Sequence, residues 1–483
     1  MLIQHSFQYL LGRIIPGAVS LLALALYTRL MSSDQYGLYA LTIAAMSMIN
    51  AVCFQWLNLS LGRFLPAHEG RPQKLLATSL IGFLMLVVAT GVLGLAVAWL
   101  WPDKNLRWLI IFAVTISWAQ AWFDLNLKLV NARLEPIRYG LLSSIKASIA
   151  VSLGTSLLYL GLGVPGILLG LMVGLLVSPL LVRKHWLGLS VQNYDTRLLK
   201  DFIVYGAPLT LAFLLTLVLD VSDRFFLGWF MNAKVVGAYA AAYDLAQLFL
   251  GMLMGIVHLA AFPLAVRALE EEGYEGACNQ LRQNALLLLS ISLPATVGLV
   301  LLAGNVVTVV LGVTFRKEAA IIIRIVALAI FVGGLKSFYF DYSFQLARKM
   351  RGQVLAILLA AIANVGFNLW WIPVYGALGA AYATLGAFIV GLFVSVYLGR
   401  KAFVLPPFPK EAYKVVLASA GMSAFLLMTL RWHGPAMLCV QVILGCCVYV
   451  IFLVTLNVGK SRLKLKIYFG RIKQMLLPVK ASS

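Results

Sequence analysis

Apolar runs of about twenty residues recur from one end of this chain to the other, separated by short polar connections. As a helix rising about 1.5 Å per residue, each run is long enough to cross roughly 30 Å of hydrocarbon. Hydrophobic residues make up 62% of the chain and charged residues 11%, against about 25% charged in a soluble domain. The chain is therefore read as an all-α polytopic membrane protein with about 14 spans. They fall near 8–30, 38–60, 75–100, 107–130, 139–160, 163–183, 202–227, 236–262, 283–303, 319–346, 352–373, 376–399, 412–431 and 436–458. The first, from Gln8 to Leu30, is too long for a signal peptide and lacks a small-residue cleavage site. Cys53, Cys439, Cys446 and Cys447 lie in apolar segments and Cys278 in a polar loop. None has metal or redox spacing, so all five read as small apolar fillers.

An even number of spans puts both termini on one side, and Lys/Arg distribution chooses the side. Connections on the side of the termini, with the tail, hold 26 Lys and Arg against 8 opposite. Arg13, Lys146, Arg324 and Lys336 are left inside spans. Both termini are expected in the cytoplasm. The bias absorbs most of the net charge of +21, so no nucleic-acid partner is needed to explain it.

Two stretches 200 residues apart match without a gap. Arg29-Leu-Met-Ser-Ser-Asp-Gln-Tyr-Gly-Leu-Tyr-Ala40 follows the first span, and Gly228-Trp-Phe-Met-Asn-Ala-Lys-Val-Val-Gly-Ala-Tyr-Ala240 follows the seventh. Gly37 corresponds to Gly237, Tyr39 to Tyr239 and Ala40 to Ala240. Further landmarks keep the order. Arg63-Phe-Leu-Pro66 ends the second span as Ala261-Phe-Pro263 ends the eighth. Asn131-Ala-Arg133 precedes the fifth as Leu346-Ala-Arg348 precedes the eleventh. Gly163-Val-Pro-Gly166 opens the sixth as Gly376-Ala-Leu-Gly379 opens the twelfth. Spans one to six thus map onto seven to twelve in the same orientation, giving two pseudo-symmetric six-helix bundles related by an axis along the membrane normal. The expected division is an N-lobe over 1–200, a C-lobe over 201–402, two further spans over 403–459 and a basic tail over 460–483. In the tail, Leu463, Ile467, Ile472 and Leu476 recur at near-helical spacing, which suits an amphipathic anchor on the anionic leaflet.

Three of these stretches carry a family resemblance: Asp34-Gln-Tyr-Gly-Leu-Tyr39, Asp223-Arg-Phe-Phe-Leu-Gly228 with Val236-Gly-Ala-Tyr239, and Tyr375-Gly-Ala-Leu-Gly-Ala-Ala381. Together they resemble the polysaccharide-transporter family, the Wzx-type lipid-linked oligosaccharide flippases. That family sits in the multidrug/oligosaccharidyl-lipid/polysaccharide (MOP) exporter superfamily, with the MATE antiporters and the lipid II flippase. The resemblance covers spans one to twelve and implies a MATE-like fold in a bacterial inner membrane. It also implies movement of undecaprenyl-pyrophosphate-linked sugar repeat units from the cytoplasmic to the outer leaflet by alternating access, for cell-surface polysaccharide. The implied partners are the lipid-linked anionic oligosaccharide, membrane lipids, and a polysaccharide polymerase with its chain-length machinery. An ion-coupled multidrug antiporter is the alternative.

The residues also argue against an enzyme. The longest outer connection, about 303–318, has no His and one carboxylate, and no G-x-x-x-x-G-K-[ST] run is present for nucleotide hydrolysis. No cofactor or metal is expected beyond a coupling ion, H+ or Na+. Charges at membrane depth cost at least about 2.5–3.5 kcal/mol each, which makes them functional candidates. Arg13, Arg63, Lys128, Lys146, His258 and Lys336 form a cationic set on the cytoplasmic side that would attract a pyrophosphate. Arg29, Asp220, Asp223, Arg224 and Asp244 form a mixed set toward the outer side, read as coupling or gate residues. Asp220 and Arg224, four apart, are expected to pair along one helix face, leaving Asp223 for Arg29 across the axis. Pro16-Gly17 and Gly206-Ala-Pro208 interrupt spans one and seven at corresponding positions and are hinge candidates. Asn50, Gln55, Asn58, Asn364 and Asn368 suit either a sugar-lined cavity or helix–helix hydrogen bonds.

Overall fold

The computed structural model describes residues 2–68, 70, 72–104, 107–460 and 462, with the side chains of residues 2–14 and 460 outside that description. No strand occurs among the described residues. The helices are α1 (Leu2–Leu30), α2 (Ser33–Phe64), α3 (Gln73–Leu100), α4 (Arg107–Ala132), α5 (Pro136–Leu157) and α6 (Gly163–Val177). The second set is α7 (Thr196–Phe230), α8 (233–272), α9 (274–310), α10 (316–346), α11 (Met350–Tyr375) and α12 (Ala377–Gly399). Two more, α13 (Ala412–Met428) and α14 (Pro435–Thr455), follow. The basic tail beyond 462 lies outside the described residues.

Ten segments are long and apolar enough to cross a membrane, among the described residues. Two of them, Pro136–His185 and Ala233–Val310, each carry two helical arms. The second breaks at Gly273, whose φ of +70° is open to glycine at no steric cost. Beyond that break Asn284 Nδ2 donates to the Ala261 carbonyl at 2.8 Å, so α9 runs back along α8. Two shorter apolar helices, Ile15–Leu30 and Ala412–Met428, accompany the ten. Each expected span falls on one of these helices, although ten segments rather than fourteen meet the length and hydropathy requirement. The helix that carries the eighth span, α8, continues beyond the expected span end at Ala261-Phe-Pro263, through Pro263 to 272.

The repeat is visible in local chemistry. Ser32 caps α2 with a reciprocal capping box, its Oγ accepting from the Gln35 N–H while its own N–H donates to Gln35 Oε1. Asn232, 200 residues later, caps α8 by accepting from the Val235 N–H at 3.0 Å. The turns before α5 and α11 are also alike. Leu134 and Arg348 are left-handed (φ 57° and 56°), and the next N–H reaches back five residues, Glu135 to Val130 O and Lys349 to Phe344 O. Leu134 therefore corresponds to Arg348, and the expected match of Arg133 with Arg348 shifts by one residue. Packing repeats as well: α1 lies on α5 as α7 lies on α11, and α2 on α4 as α8 on α10.

Between the lobes, α2 crosses α8 where no side chain intervenes. A Cβ on Gly37 would lie 1.8 Å from the Ala233 carbonyl oxygen, and one on Gly237 1.9 Å from that of Ser33. Small residues allow this backbone approach, as in membrane helix pairs generally. Toward its other end α2 meets α7: Ser60 Oγ donates to the Phe202 carbonyl at 2.7 Å, and Gly206 abuts the Trp56 carbonyl. Pro16 and Pro208 lie inside continuous helices, so neither interrupts its span as expected. Gly17 faces Met252 on α8.

Candidate functional site

The densest polar cluster centres on Asp223 of α7, which is 1% exposed. The Tyr239 hydroxyl donates to its Oδ2 at 2.5 Å and Thr384 Oγ1 to the same oxygen at 2.6 Å. Asn368 Nδ2 donates to Oδ1 at 2.7 Å, with Asn364 Nδ2 at 3.4 Å. Four helices thus converge on one carboxylate. Among the described residues no cation pairs with it, because neighbouring Arg224 is committed elsewhere. The cluster holds more acceptors than protons. Thr384 has one hydroxyl hydrogen but lies within reach of both Asp223 and the Ala380 carbonyl, and Asn368 Oδ1 is buried with no partner. An oxygen-rich, anion-centred site of this kind fits a proton or a hard monovalent cation.

Beside it, Arg224 pairs with Asp244 of α8 at 2.5 Å, and its guanidinium lies 5.9 Å from the Tyr243 ring centre. Tyr36 of α2 donates to the other oxygen of Asp244 at 3.3 Å, so this ion pair is tied to the opposite lobe. The expected pairings are corrected here. Asp220 does not pair with Arg224 and makes no hydrogen bond among the described residues. Asp223 does not reach Arg29, which donates to the Val309 carbonyl at 2.6 Å. Buried Arg224 thus takes its partner on the neighbouring helix α8 and not along its own helix.

The cationic set does not converge on one cavity. Lys336 is buried in a 2.8 Å ion pair with Asp341, which also accepts from Ser395 at 2.7 Å. These two are five residues apart and meet because Lys336–Phe340 is a π-turn. His258 hydrogen-bonds Tyr342 at 2.7 Å through Nδ1 and stacks on Phe338 and Phe262. Lys128 lays its stem over Gly62, and Arg63 is exposed at the end of α2. The side chain of Arg13 lies outside the described residues.

Lys146 does line a cavity, of about 480 Å³, within the N-lobe between α1, α4, α5 and α6. Its Nζ stands 4.9 Å from the centre of the Phe123 ring. The same cavity contains Asp124, which sequence reasoning passed over. Gln120 Nε2 donates to Asp124 Oδ1 at 2.8 Å and Asn50 Nδ2 to Oδ2 at 3.4 Å. Its signal was available as a carboxylate deep inside an apolar span. Tyr36 was also missed, since a tyrosine in a membrane helix carries no mark of a cross-lobe partner.

Fold and site define a two-lobed membrane transporter. The sequence model of a polysaccharide biosynthesis protein family matches residues 2–269, and that of the lipid II flippase MurJ matches residues 142–455. The chain belongs to the polysaccharide biosynthesis protein family, among the lipid-linked flippase families of the MOP superfamily. No curated protein matches it. Its fold is similar to that of lipid II flippase MurJ in an inward closed conformation, with a TM-score of 0.76 and 16% identity over 94% of this chain and 99% of that one. It is also similar to an inward-facing MATE family multidrug transporter (TM-score 0.62, 14% identity, 81% of this chain and 97% of that one). A MOP superfamily transporter from Pyrococcus furiosus Vc1 gives a TM-score of 0.60 at 15% identity, over 83% and 94%.

Proposed function

We propose that this chain translocates undecaprenyl-pyrophosphate-linked oligosaccharide repeat units across the bacterial inner membrane by alternating access, with both termini cytoplasmic. The polysaccharide biosynthesis match across the whole N-lobe is the observation that carries this reading. The lobes are alike, meet at glycines, and leave their polar clusters between and within the bundles, which suits rocking around a shared cargo path. Asp223 is the coupling residue. A buried carboxylate with no counter-charge is held by its hydrogen bonds alone, so uptake of a proton or a cation there links its occupancy to the packing of α7, α8, α11 and α12. Arg224, Asp244 and Tyr36 transmit that packing to the N-lobe. A polymerase that joins lipid-linked units is the class of enzyme that would consume the product.

The match over residues 142–455 favours a second reading, in which the cargo is lipid II. Deletion of the gene separates the two. Lipid-linked repeat units should accumulate on the cytoplasmic leaflet while peptidoglycan synthesis continues. Arrest of peptidoglycan synthesis, or surface polysaccharide made at the normal rate, would contradict the oligosaccharide reading.

A further inference from the structure

Two spaces flank the seam between α1 and α5 and share a wall. One is the polar cavity of about 480 Å³, with Gln120, Asp124, Ser143 and Lys146 among the rings of Phe123 and Tyr139. The other is a crevice of about 760 Å³ lined by Leu22, Leu26, Ser152, Thr155, Tyr159 and Leu160. Val19 and Val151 line both. Leu22, Tyr159 and Leu160 are exposed, and the Thr155 hydroxyl is buried there without a partner.

The cavity has the chemistry of a hydroxylated head. Each oxygen of Asp124 accepts one amide hydrogen bond and keeps a lone pair for another donor. A carboxylate so placed accepts paired hydroxyls, Lys146 supplies a donor, and aromatic rings cover the C–H face of a pyranose. The crevice has the chemistry of a chain, since its lining is largely apolar and its outer residues, Leu22, Tyr159 and Leu160, are exposed. Its length follows the halves of α1 and α5 that lead away from the N-terminus. α1 is the wall able to move: Pro16 donates no helical hydrogen bond, and Gly17 beside it has no side chain.

We propose that cavity and crevice form one amphipathic site, with a sugar of the lipid-linked cargo beside Asp124 and Lys146 and its isoprenoid chain in the α1–α5 crevice. This rests on the flippase reading. It places the chain in the leaflet opposite the termini, the one a translocated lipid reaches, so the seam serves release of product.

The test uses the full chain in nanodiscs with undecaprenyl-pyrophosphoryl-N-acetylglucosamine carrying a diazirine on the isoprenoid chain. Adducts are mapped by peptide mass spectrometry. They are expected on residues 19–26 and 148–160, reduced at least tenfold by Leu22→Trp and by Asp124→Asn, and resistant to excess phosphatidylglycerol. Leu22 is exposed, so tryptophan there fills the crevice without entering the core. Val151→Trp, compared at matched melting temperature, blocks the shared wall. Adducts confined to the seam between α1 and α8, unchanged by Leu22→Trp, overturn the site and leave lipid translocation standing. Crevice adducts erased by phosphatidylglycerol also overturn it, as a seat for bulk lipid. No adducts anywhere, in a chain whose deletion accumulates no lipid-linked unit, takes down both readings.

Discussion

Gly37 and Gly237 correspond across the sequence repeat and meet in space, and a Cβ on either would run into a carbonyl oxygen one turn before the other, 1.8 Å from that of Ala233 and 1.9 Å from that of Ser33. Each glycine is thus sterically required by the helix turn that precedes its counterpart. This contact lies at the end of the bundle that carries the α1–α2 and α7–α8 connections. Opening that end requires the two glycines to part, and closing it requires that nothing larger stand there.

Gly37→Ala, or Gly237→Ala, puts a methyl group within 2 Å of a carbonyl oxygen that cannot retreat without moving a helix. Each variant is expected to fold, to hold this end open, and to lose at least tenfold in transport. Accessibility of an introduced cysteine at Tyr39 to a membrane-impermeant maleimide, with the five native cysteines replaced, reads the opening. Normal protection would contradict it.

Asp223→Asn keeps the shape and one acceptor of the side chain but removes the charge. Transport should fall at least tenfold and lose its dependence on the coupling cation. Imposing a Na+ gradient and a pH gradient separately on proteoliposomes identifies the ion. A variant that still responds like the parent removes Asp223 from coupling.

Tyr36→Phe deletes the hydrogen bond that ties the Arg224–Asp244 pair to the N-lobe. Such a bond contributes about 1 kcal/mol, so the balance of open and closed forms should shift by up to about fivefold. Asp244→Asn acts on the same link and should reduce transport while the chain still folds; unchanged export excludes it.

Lys336 and Asp341 are a different kind of pair. Lys336→Met alone strands a buried carboxylate and should destabilise the C-lobe by about 3–5 kcal/mol, whereas adding Asp341→Leu restores most of that loss. Thermal unfolding in detergent compares the two, and equal destabilisation would show that the pair does more than neutralise itself.

The repeat and the paired glycines were legible in sequence because the two stretches align without a gap; the caps at Ser32 and Asn232 emerged only in the structure. Partner choice was not legible either. Arg224 and Asp244 are 20 residues apart on neighbouring helices, and the i,i+4 rule that suggested Asp220 sees one helix at a time. Lys336 and Asp341 meet only through a π-turn, which a 3.6-residue period does not foresee. Asp124 was lost among the tryptophans and leucines of α4, and its donor Asn50 comes from α2.

Under alternating access the lobes part and close at the Gly37–Gly237 contact as cargo and ion bind. Electron–electron resonance between spin labels at Asp34→Cys and Lys234→Cys, both exposed beside that contact, measures it directly once the native cysteines are replaced. In nanodiscs a short and a long distance are expected, their ratio shifting with lipid-linked sugar and coupling ion, with loss of the short one in Gly37→Ala. A single short distance under every condition, retained in Gly37→Ala, would contradict it.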